Sequence, residues 1–505
     1  MANAVSAFLD DTIAGGAGAR PALVTAAGSV TYRELLALVG RAANALRGLG
    51  VEPEQRVALL LPDGVEWVAA FLGALRIGAV AVPLNTRLRP AEWAAILRDS
   101  RARVLVADAP LLAALRPALT DTPHLRAVVA TGAGATGWQA LLAAALPECA
   151  IEPVSGDDMA CWLYTSGTTG GPKAAVHPHR NLLACRHYGI DVLQASEQDR
   201  AFATSKLFFA YALGNALLIP LYLGACTYLD PAWPEPESVV HTLRAFQPTL
   251  FFSVPTFYGR LLRAELPADA FRSVRACVSA GERLPPELYF AWRKRFGVEI
   301  LDGLGATETI FMVLANRPGK SRAGSAGQAV PGTEVRLLDA KGRAAAEGAP
   351  GVLHVRTPSA CSGYWNRLDV SRQAFVGEWF QTGDVLTRDA EGFYYHDGRD
   401  DERFKVAGQW VTPADVEAVL RAHPDVVEAG VVGAVTTGGL VKAVAFVVAR
   451  GAGSPEDLAE RLAAHAATKL PAHQRPRRIL VVDELPRTVT GKLQRYVLRE
   501  RAEHG

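Results

Sequence analysis

Runs of apolar residues alternate with stretches of helical periodicity along this 505-residue chain, and this alternation limits the possible folds most strongly. The run Val57–Leu61, the helical stretch Val65–Leu75 and the run Ala79–Leu84 follow one another as strand, helix and strand. Similar apolar runs return at 103–107 and 249–254. Such runs are typical of strands buried on both faces, which occur mainly in parallel sheets flanked by helices. We therefore predict a large α/β domain with mainly parallel sheets.

The pattern changes after about Gly363, where short strand-and-turn segments replace the longer units. Charged residues concentrate at 399–403, and the helices and strands of a small α+β domain are predicted from Pro413 onward. We expect a large N-terminal domain at residues 1–398 and a small, mobile C-terminal domain at residues 399–505.

Composition excludes several classes of protein. The chain has 53 Lys and Arg against 51 Asp and Glu, a balance that disfavours a general nucleic-acid or acidic-membrane partner. A hydrophobic fraction of 50% excludes a disordered chain. The six cysteines show no CxxC pair or other paired spacing, which indicates a reducing cytosol rather than a disulfide framework. We predict a soluble, cytoplasmic protein.

One uncharged segment, Leu207–Leu229, is long enough to cross a bilayer. Gly214, Asn215, Pro220 and Gly224 interrupt it. We therefore predict a buried loop–helix segment and no membrane partner.

The segment 165–173 is the most informative part of the sequence. Its glycines let the backbone approach a ligand closely, and its hydroxyl groups, backbone N–H groups and one lysine suit a polyphosphate. A Walker A loop is excluded, because Pro172 precedes the lysine and Ala174 follows it. The predicted phosphate-binding residues are Thr165, Ser166, Gly167, Thr168, Thr169, Gly170 and Lys173.

Four further motifs follow in order, at Leu304–Glu308, Gln381–Asp384, Gly398–Asp401 and Pro486–Lys492. Together with the phosphate segment they resemble the adenylate-forming superfamily, which includes acyl-CoA ligases, luciferase-like enzymes and peptide-synthetase adenylation domains. The resemblance extends over nearly the whole chain. It implies two steps: a carboxylate attacks the α-phosphate of ATP, and the thiol of coenzyme A then attacks the acyl-adenylate. It also implies Mg²⁺.

The resemblance assigns three catalytic roles. Lys492 would bridge the attacking carboxylate and the α-phosphate, and Thr307 would offer its hydroxyl to the same phosphate. Glu308 would hold Mg²⁺, a hard cation that binds carboxylate and phosphate oxygens. Such positive groups and donors are needed because the attacking carboxylate and the α-phosphate repel each other. Two anions about 4 Å apart repel by about 1 kcal/mol in water and by more in a dry site.

The remaining nucleotide and thiol contacts are also implied by the resemblance. Asp384 and Arg399 would hold the ribose, Asp401 would be the hinge of the C-terminal domain, and Gly408 would admit the pantetheine arm of coenzyme A. Rotation about Asp401 would remove Lys492 after the first step. The predicted adenine-pocket residues are Ala280, Gly281, Glu282, Asp302, Gly303 and Leu304.

The sequence departs from the common pattern at Leu304, where many members carry an aromatic residue. An aliphatic residue there resembles aryl-CoA ligases, and the stretches 208–215 and 309–319 resemble benzoate-CoA ligases. Neither Phe208–Asn215 nor Thr309–Met312 contains Lys or Arg, which favours an acid with one carboxylate. The predicted acyl-pocket residues are Phe209, Ala210, Tyr211, Gly214, Gly305, Ala306, Ile310 and Phe311.

The resulting hypothesis is a CoA ligase for benzoate or a small substituted benzoate, such as 2-aminobenzoate or a hydroxybenzoate. Tyr211 is a candidate hydrogen-bond partner for a ring substituent. The sequence leaves open a stand-alone enzyme that loads a carrier protein, a homodimer, and an inactive nucleotide-binding regulatory protein. Retention of Lys492, Glu308 and Asp384 disfavours the inactive protein.

Overall fold

The computed structural model describes residues 2–132, 137–166, 172–400, 402–435, 440–451, 453–487 and 493–504. The chain forms two compact units. The larger unit contains Met1–Val335, Val355–Gln381 and Glu391–Tyr394, and the smaller contains Arg336–His354, Thr382–Ala390 and Tyr395–Gly505. The smaller unit thus includes segments that precede residue 399, and the domain boundary between residues 398 and 399 stays a prediction.

A six-stranded sheet in the larger unit contains the predicted strand–helix–strand unit. Helix Val65–Arg76 follows strand Arg56–Leu60 and precedes strand Val80–Pro83, which pairs with it in parallel. All neighbouring strands are parallel except the last two, which form an antiparallel hairpin. In order across the sheet, the strands are Ala127–Thr131, Val104–Asp108, Arg56–Leu60, Val80–Pro83, Met159–Ser166 and Pro172–Pro178.

A second sheet in the larger unit has nine strands. Its central strands are parallel, and antiparallel pairs close both edges. Because parallel strands end at the same edge of a sheet, Ser253, Ser279 and Asp302 occupy matching positions on neighbouring strands. In order, the strands are Gln328–Ala329, Met312–Ala315, Ile300–Gly305, Ala276–Ser279, Leu250–Ser253, Arg200–Ala203, Cys226–Tyr228, Pro21–Thr25 and Gly28–Thr31.

Helices cover these sheets and supply much of the apolar core. Helix Tyr32–Gly48 begins at a capping box, in which Thr31 Oγ1 accepts a hydrogen bond from the backbone N–H of Glu34. The other helices of at least seven residues in this unit are Val65–Arg76, Pro90–Ser100, Ala109–Leu115, Trp138–Ala144, Pro236–Phe246, Pro255–Arg263, Pro286–Phe296 and Leu368–Ala374. This arrangement confirms the predicted α/β class.

The uncharged segment 207–229 is buried against the core of the larger unit. It forms the short helices Ala210–Ala212, Leu213–Leu218 and Ile219–Leu223, followed by strand Cys226–Tyr228. The predicted buried loop–helix segment is confirmed. Within the described ranges, no helix combines the length and the apolar character that crossing a membrane requires.

The smaller unit has the predicted α+β character. Strand Val426–Val435 pairs antiparallel with Val441–Ala449, which pairs in parallel with Arg478–Val482. A separate hairpin joins Phe404–Val406 to Gln409–Val411. Helices Pro413–Arg421, Pro455–Lys469 and Arg495–His504 complete the unit. The chain passes between the two units within the strands Glu334–Leu338, Gly351–Arg356, Trp379–Arg388 and Tyr394–Arg399, and once more between Ala390 and Glu391.

Candidate active site

The described residues of the predicted phosphate segment lie at one end of the antiparallel hairpin of strands Met159–Ser166 and Pro172–Pro178. Thr165 pairs with Lys173, and Ser166 pairs with Pro172, and we call this end the hairpin tip. The predicted residues Gly167, Thr168, Thr169 and Gly170 lie outside the described residues. The structure thus brings Thr165, Ser166 and Lys173 together at one end of the hairpin.

Thr307 and Glu308 lie in a short helical turn that follows strand Ile300–Gly305. His177, on the second strand of the hairpin, donates from Nε2 to the carbonyl oxygen of Thr307 at 2.9 Å. Burial lowers the pKa of His177 to about 4, so that the ring is neutral at neutral pH and carries its proton on Nε2. The backbone N–H of Cys361 donates to the Glu308 carbonyl at 2.8 Å. Both catalytic candidates therefore have a fixed backbone.

Tyr364 is the main site residue that the sequence analysis missed. Its hydroxyl donates to Glu308 Oε1 at 2.6 Å, and the Lys173 ammonium lies 4.6 Å from the centroid of its ring. The sequence feature that could have pointed to Tyr364 is the aromatic pair Tyr364–Trp365 directly after Gly363. We interpreted that glycine only as the point after which short strand-and-turn segments replace the longer units.

The two stretches predicted for the acyl pocket meet at Gly214. A β-carbon added to Gly214 would lie 2.9 Å from Phe311 Cε1 and 3.2 Å from Ile310 Cγ2, so this packing requires glycine. Ile310 has φ 53° and ψ −54°, and the N–H of Phe311 donates to the Thr309 carbonyl at 2.5 Å. This is a strained γ-turn, and a β-branched residue seldom adopts it. The turn directs the chain from Glu308 to the apolar wall.

Tyr211 already has hydrogen-bond partners within the protein. Its hydroxyl oxygen lies 3.0 Å from the Ser253 carbonyl and 2.9 Å from the Val278 carbonyl. A single O–H serves one carbonyl at a time, so Tyr211 can only accept a hydrogen bond from a ring substituent. The neighbouring rings of Phe208 and Phe209 lie 4.5 Å apart and form an aromatic pair.

The predicted adenine-pocket residues lie at the ends of neighbouring parallel strands. Asp302 pairs with Ser279, directly before Ala280 and Gly281, and Gly281 has φ +85°. Burial raises the pKa of Asp302 to about 8, and its Oδ1 has no hydrogen-bond partner among the described residues. A β-carbon on Gly303 would lie 2.9 Å from the Leu314 carbonyl oxygen. Leu304 and Gly305 complete the same strand, and Glu282 is partly exposed and accepts from Thr256 Oγ1 at 2.6 Å.

The predicted ribose-binding residues form a network within the smaller unit. Asp384 Oδ1 accepts from His396 Nε2 at 3.1 Å and from Arg399 at 3.4 Å. Burial opposes ionisation of Asp384, but the hydrogen bond from His396 and the Arg399 charge lower its pKa overall. Gly408 is in the turn of the 404–411 hairpin with φ +81° and open space at its β-carbon position. The predicted hinge Asp401 and the predicted catalytic Lys492 lie outside the described residues.

The donor set fits a magnesium ion held jointly with substrate phosphates. Across the part of the chain that the structure describes, no three His, Cys, Asp or Glu residues cluster as a metal site. Glu308 instead offers a single, partly exposed carboxylate, and Tyr364 contacts both this carboxylate and the Lys173 ammonium. Mg²⁺ characteristically binds through one or two carboxylates together with phosphates and water. His177 and His179 are hydrogen-bonded to the backbones of Thr307 and Ala4, as expected for structural histidines.

Comparisons with known proteins agree with this arrangement of predicted site residues. Residues 11–365 match the AMP-binding enzyme family, and residues 415–492 match the AMP-binding enzyme C-terminal domain. The chain belongs to the AMP-binding enzyme family. The resemblance that the five motifs indicated is thereby confirmed.

Known relatives match this chain over nearly the whole length of both proteins. A 4-hydroxybenzoate–CoA/benzoate–CoA ligase of Rhodopseudomonas palustris is 42% identical, over 99% of this chain and 94% of its own. The anthranilate CoA ligase AuaEII, solved in complex with anthranoyl-AMP, has a TM-score of 0.92 at 38% identity, covering 99% of this chain and 97% of that chain. A benzoate CoA ligase from Burkholderia xenovorans has a TM-score of 0.89 at 40% identity, covering 98% of this chain and 99% of that chain. The predicted benzoate-CoA ligase-like branch is confirmed, whereas the roles of individual residues stay predictions.

Proposed function

We propose that this AMP-binding enzyme joins an aromatic monocarboxylic acid to coenzyme A, with ATP converted to AMP and pyrophosphate. The acid is benzoate or a small substituted benzoate. The observation that carries the proposal is the close packing of Gly214 against Ile310 and Phe311, which lie two and three residues after Glu308 in the chain. It brings an apolar wall within two residues of the predicted ion-binding carboxylate, so a ring held there would present its carboxylate towards the phosphates.

In the first step a carboxylate oxygen attacks the α-phosphorus, and the bond to pyrophosphate breaks. Thr165, Ser166 and Lys173 supply donors and a cation at the hairpin tip, and Thr307 adds a hydroxyl. Glu308 would hold the magnesium ion, which would supply positive charge to the phosphate oxygens. Lys492 neutralises the two approaching anions. Hydrogen bonding by His177 keeps the Thr307 backbone fixed while charge moves.

In the second step the thiolate of coenzyme A attacks the acyl carbon, and AMP leaves. Rotation of the C-terminal domain about Asp401 removes Lys492 and presents the Gly408 turn, where the absence of a side chain admits a pantetheine arm. Asp384 and Arg399 retain the ribose in both steps.

The pocket chemistry selects the class of acid. Glycine at 214 and aromatic rings at Phe209 and Phe311 suit a flat apolar ring. A second carboxylate would have no counterion in Phe208–Asn215 or Thr309–Met312. Bulky Ile310 and Phe311 leave no path for a long aliphatic chain between them and Gly214.

Pyrophosphate release with a panel of acids tests the proposal. Benzoate, 2-aminobenzoate and the hydroxybenzoates should react, and medium-chain fatty acids should not. Coenzyme A and a pantetheinylated carrier protein should be compared as acceptors, with coenzyme A preferred. Activity confined to the fatty acids, or to the carrier protein, would refute the proposed substrates.

Lys492→Ala should separate the two steps. We expect pyrophosphate release to fall about 100-fold or more, because preorganised charge at the reacting phosphate is lost. Thioester formation from synthetic benzoyl-adenylate should continue at the normal rate. Lys469→Ala, at an exposed position at the end of helix Pro455–Lys469, is the matched control. Normal adenylate formation by Lys492→Ala would show that this lysine has been misassigned.

A further inference from the structure

The segment Cys361–Trp365 lies alongside Pro172–Pro178, the second strand of the hairpin at the candidate site. The N–H of Val176 donates to the Gly363 carbonyl at 3.0 Å, and the N–H of Trp365 donates to the Ala174 carbonyl at 2.9 Å. These bonds on either side of Tyr364 fix its backbone against the strand that carries Lys173.

Side-chain packing fixes the same segment further. The Trp365 ring lies 4.5 Å from that of Trp162, and its Nε1 donates to the Asp99 carbonyl at 3.0 Å. The backbone N–H of Tyr364 donates to Ser371 Oγ at 2.9 Å. The Tyr364 side chain is buried. A ring held in this way has a defined position before any ligand binds.

Tyr364 contacts two residues from different motifs. The face of its ring lies under the Lys173 ammonium, with 4.6 Å between the nitrogen and the ring centroid. Its hydroxyl donates to Glu308 Oε1 at 2.6 Å, a short bond that is typical of a charged acceptor. A phenol is suited to both contacts, because its face attracts cations and its O–H donates.

We propose that Tyr364 is a positioning residue that holds the Glu308 carboxylate and the Lys173 ammonium ready for the magnesium–nucleotide complex. The proposal rests on the function proposed above. The hydroxyl orients one carboxylate oxygen, which leaves the other oxygen available to the ion. The ring keeps the lysine beside the hairpin tip, so less side-chain freedom is lost when phosphates bind.

Two substitutions separate these two contacts. Tyr364→Phe keeps the ring under Lys173 and removes the hydroxyl that donates to Glu308. Tyr364→Leu removes both contacts and retains an apolar side chain. Tyr289→Phe is the matched control, because it removes a buried tyrosine hydroxyl that bonds Ser321 Oγ at 2.8 Å, away from the site.

Calorimetric titration with α,β-methylene-ATP, which cannot release pyrophosphate, gives affinities with and without magnesium. We expect Tyr364→Phe to reduce the magnesium-dependent gain in affinity about three- to tenfold and to leave binding without magnesium unchanged, since loss of one charged hydrogen bond is of this order. Tyr364→Leu should weaken binding under both conditions. Tyr289→Phe should match the wild type.

Several outcomes would overturn the proposal. An unchanged magnesium-dependent gain in Tyr364→Phe would show that the hydroxyl does not position Glu308, and a larger gain would show that it competes with the ion. Equal losses with and without magnesium would indicate general disruption. Thermal unfolding without ligand checks that both variants fold. Failure of the wild type to bind the nucleotide would refute the proposed function instead.

Discussion

Replacing Asp302 with Asn tests whether an uncharged acid is buried in the site. Asp302 is only 6% exposed, and burial raises its pKa from 3.8 to about 8. Above pH 3.8 the Asp302 carboxyl therefore stays protonated in the folded state, whereas the same carboxyl ionises in the unfolded chain. The contribution of Asp302 to stability is therefore fully present below pH 3.8 and is lost as the pH rises towards 8. Asn has a similar shape and cannot ionise, so D302N should lack this decline.

The size of the effect follows from proton linkage. From pH 5 to pH 7 the wild type loses about 3 kcal/mol relative to the variant, because the unfolded chain has released the proton that folded Asp302 still holds. For a unit of several hundred residues this corresponds to a change in Tm of about 3 °C. Thermal unfolding without ligand should be followed at pH 5, 6, 7 and 8.

The control is Asp269→Asn, whose side chain is 70% exposed and which should follow the wild type at every pH. A Tm difference between D302N and the wild type that does not change with pH would refute the reasoning. It would mean that Asp302 is already ionised in the folded protein.

Three further substitutions test other parts of the site. Gly214→Ala should lower kcat/KM for benzoate about tenfold in a pyrophosphate assay, because the new methyl group overpacks against Phe311; an unchanged value would contradict the predicted pocket wall. The depressed pKa of His177, about 4, makes the wild type lose stability as the pH falls from about 6.5 to 4. His177→Gln should flatten that acid limb in urea unfolding, and an identical limb would contradict the neutral buried ring. Asp384→Asn should raise the Kd for AMP about tenfold in calorimetry by removing the anionic partner of the ribose hydroxyls, and a wild-type Kd would contradict the ribose role.

Much of the fold could be predicted because it depends on local patterns. The order of strand and helix from Val57 to Leu84 appears in the structure with boundaries shifted by at most one residue. Periodicity and glycine positions are properties of neighbouring residues, and the packing of parallel sheets under helices follows from burial on both faces. The sequence could not show that segments 336–354 and 382–390 belong to the smaller unit, since that depends on contacts between distant parts of the chain.

The site was predictable only where its residues lie in a continuous motif. Thr307, Glu308 and Lys173 were found in this way. The partners that fix them were not, because Tyr364 is 56 positions from Glu308 and His177 is 130 positions from Thr307. No spacing rule links residues across such distances. The hydroxyl of Tyr211 was interpreted as available, because the sequence cannot reveal that backbone carbonyls of Ser253 and Val278 face it.

Residues 302–311 combine several features that oppose stability. An acid is buried with one oxygen unpartnered, and Ile310 adopts a positive φ that costs of order 1–3 kcal/mol. Such features persist only where the surrounding structure fixes them, and here the His177 and Cys361 hydrogen bonds hold the Thr307–Glu308 backbone. The same decapeptide contains the predicted ion ligand, phosphate donor and acyl wall. We therefore expect this strain to serve the predicted site, because the Ile310 turn connects a polar strand end to the apolar wall within three residues of Glu308.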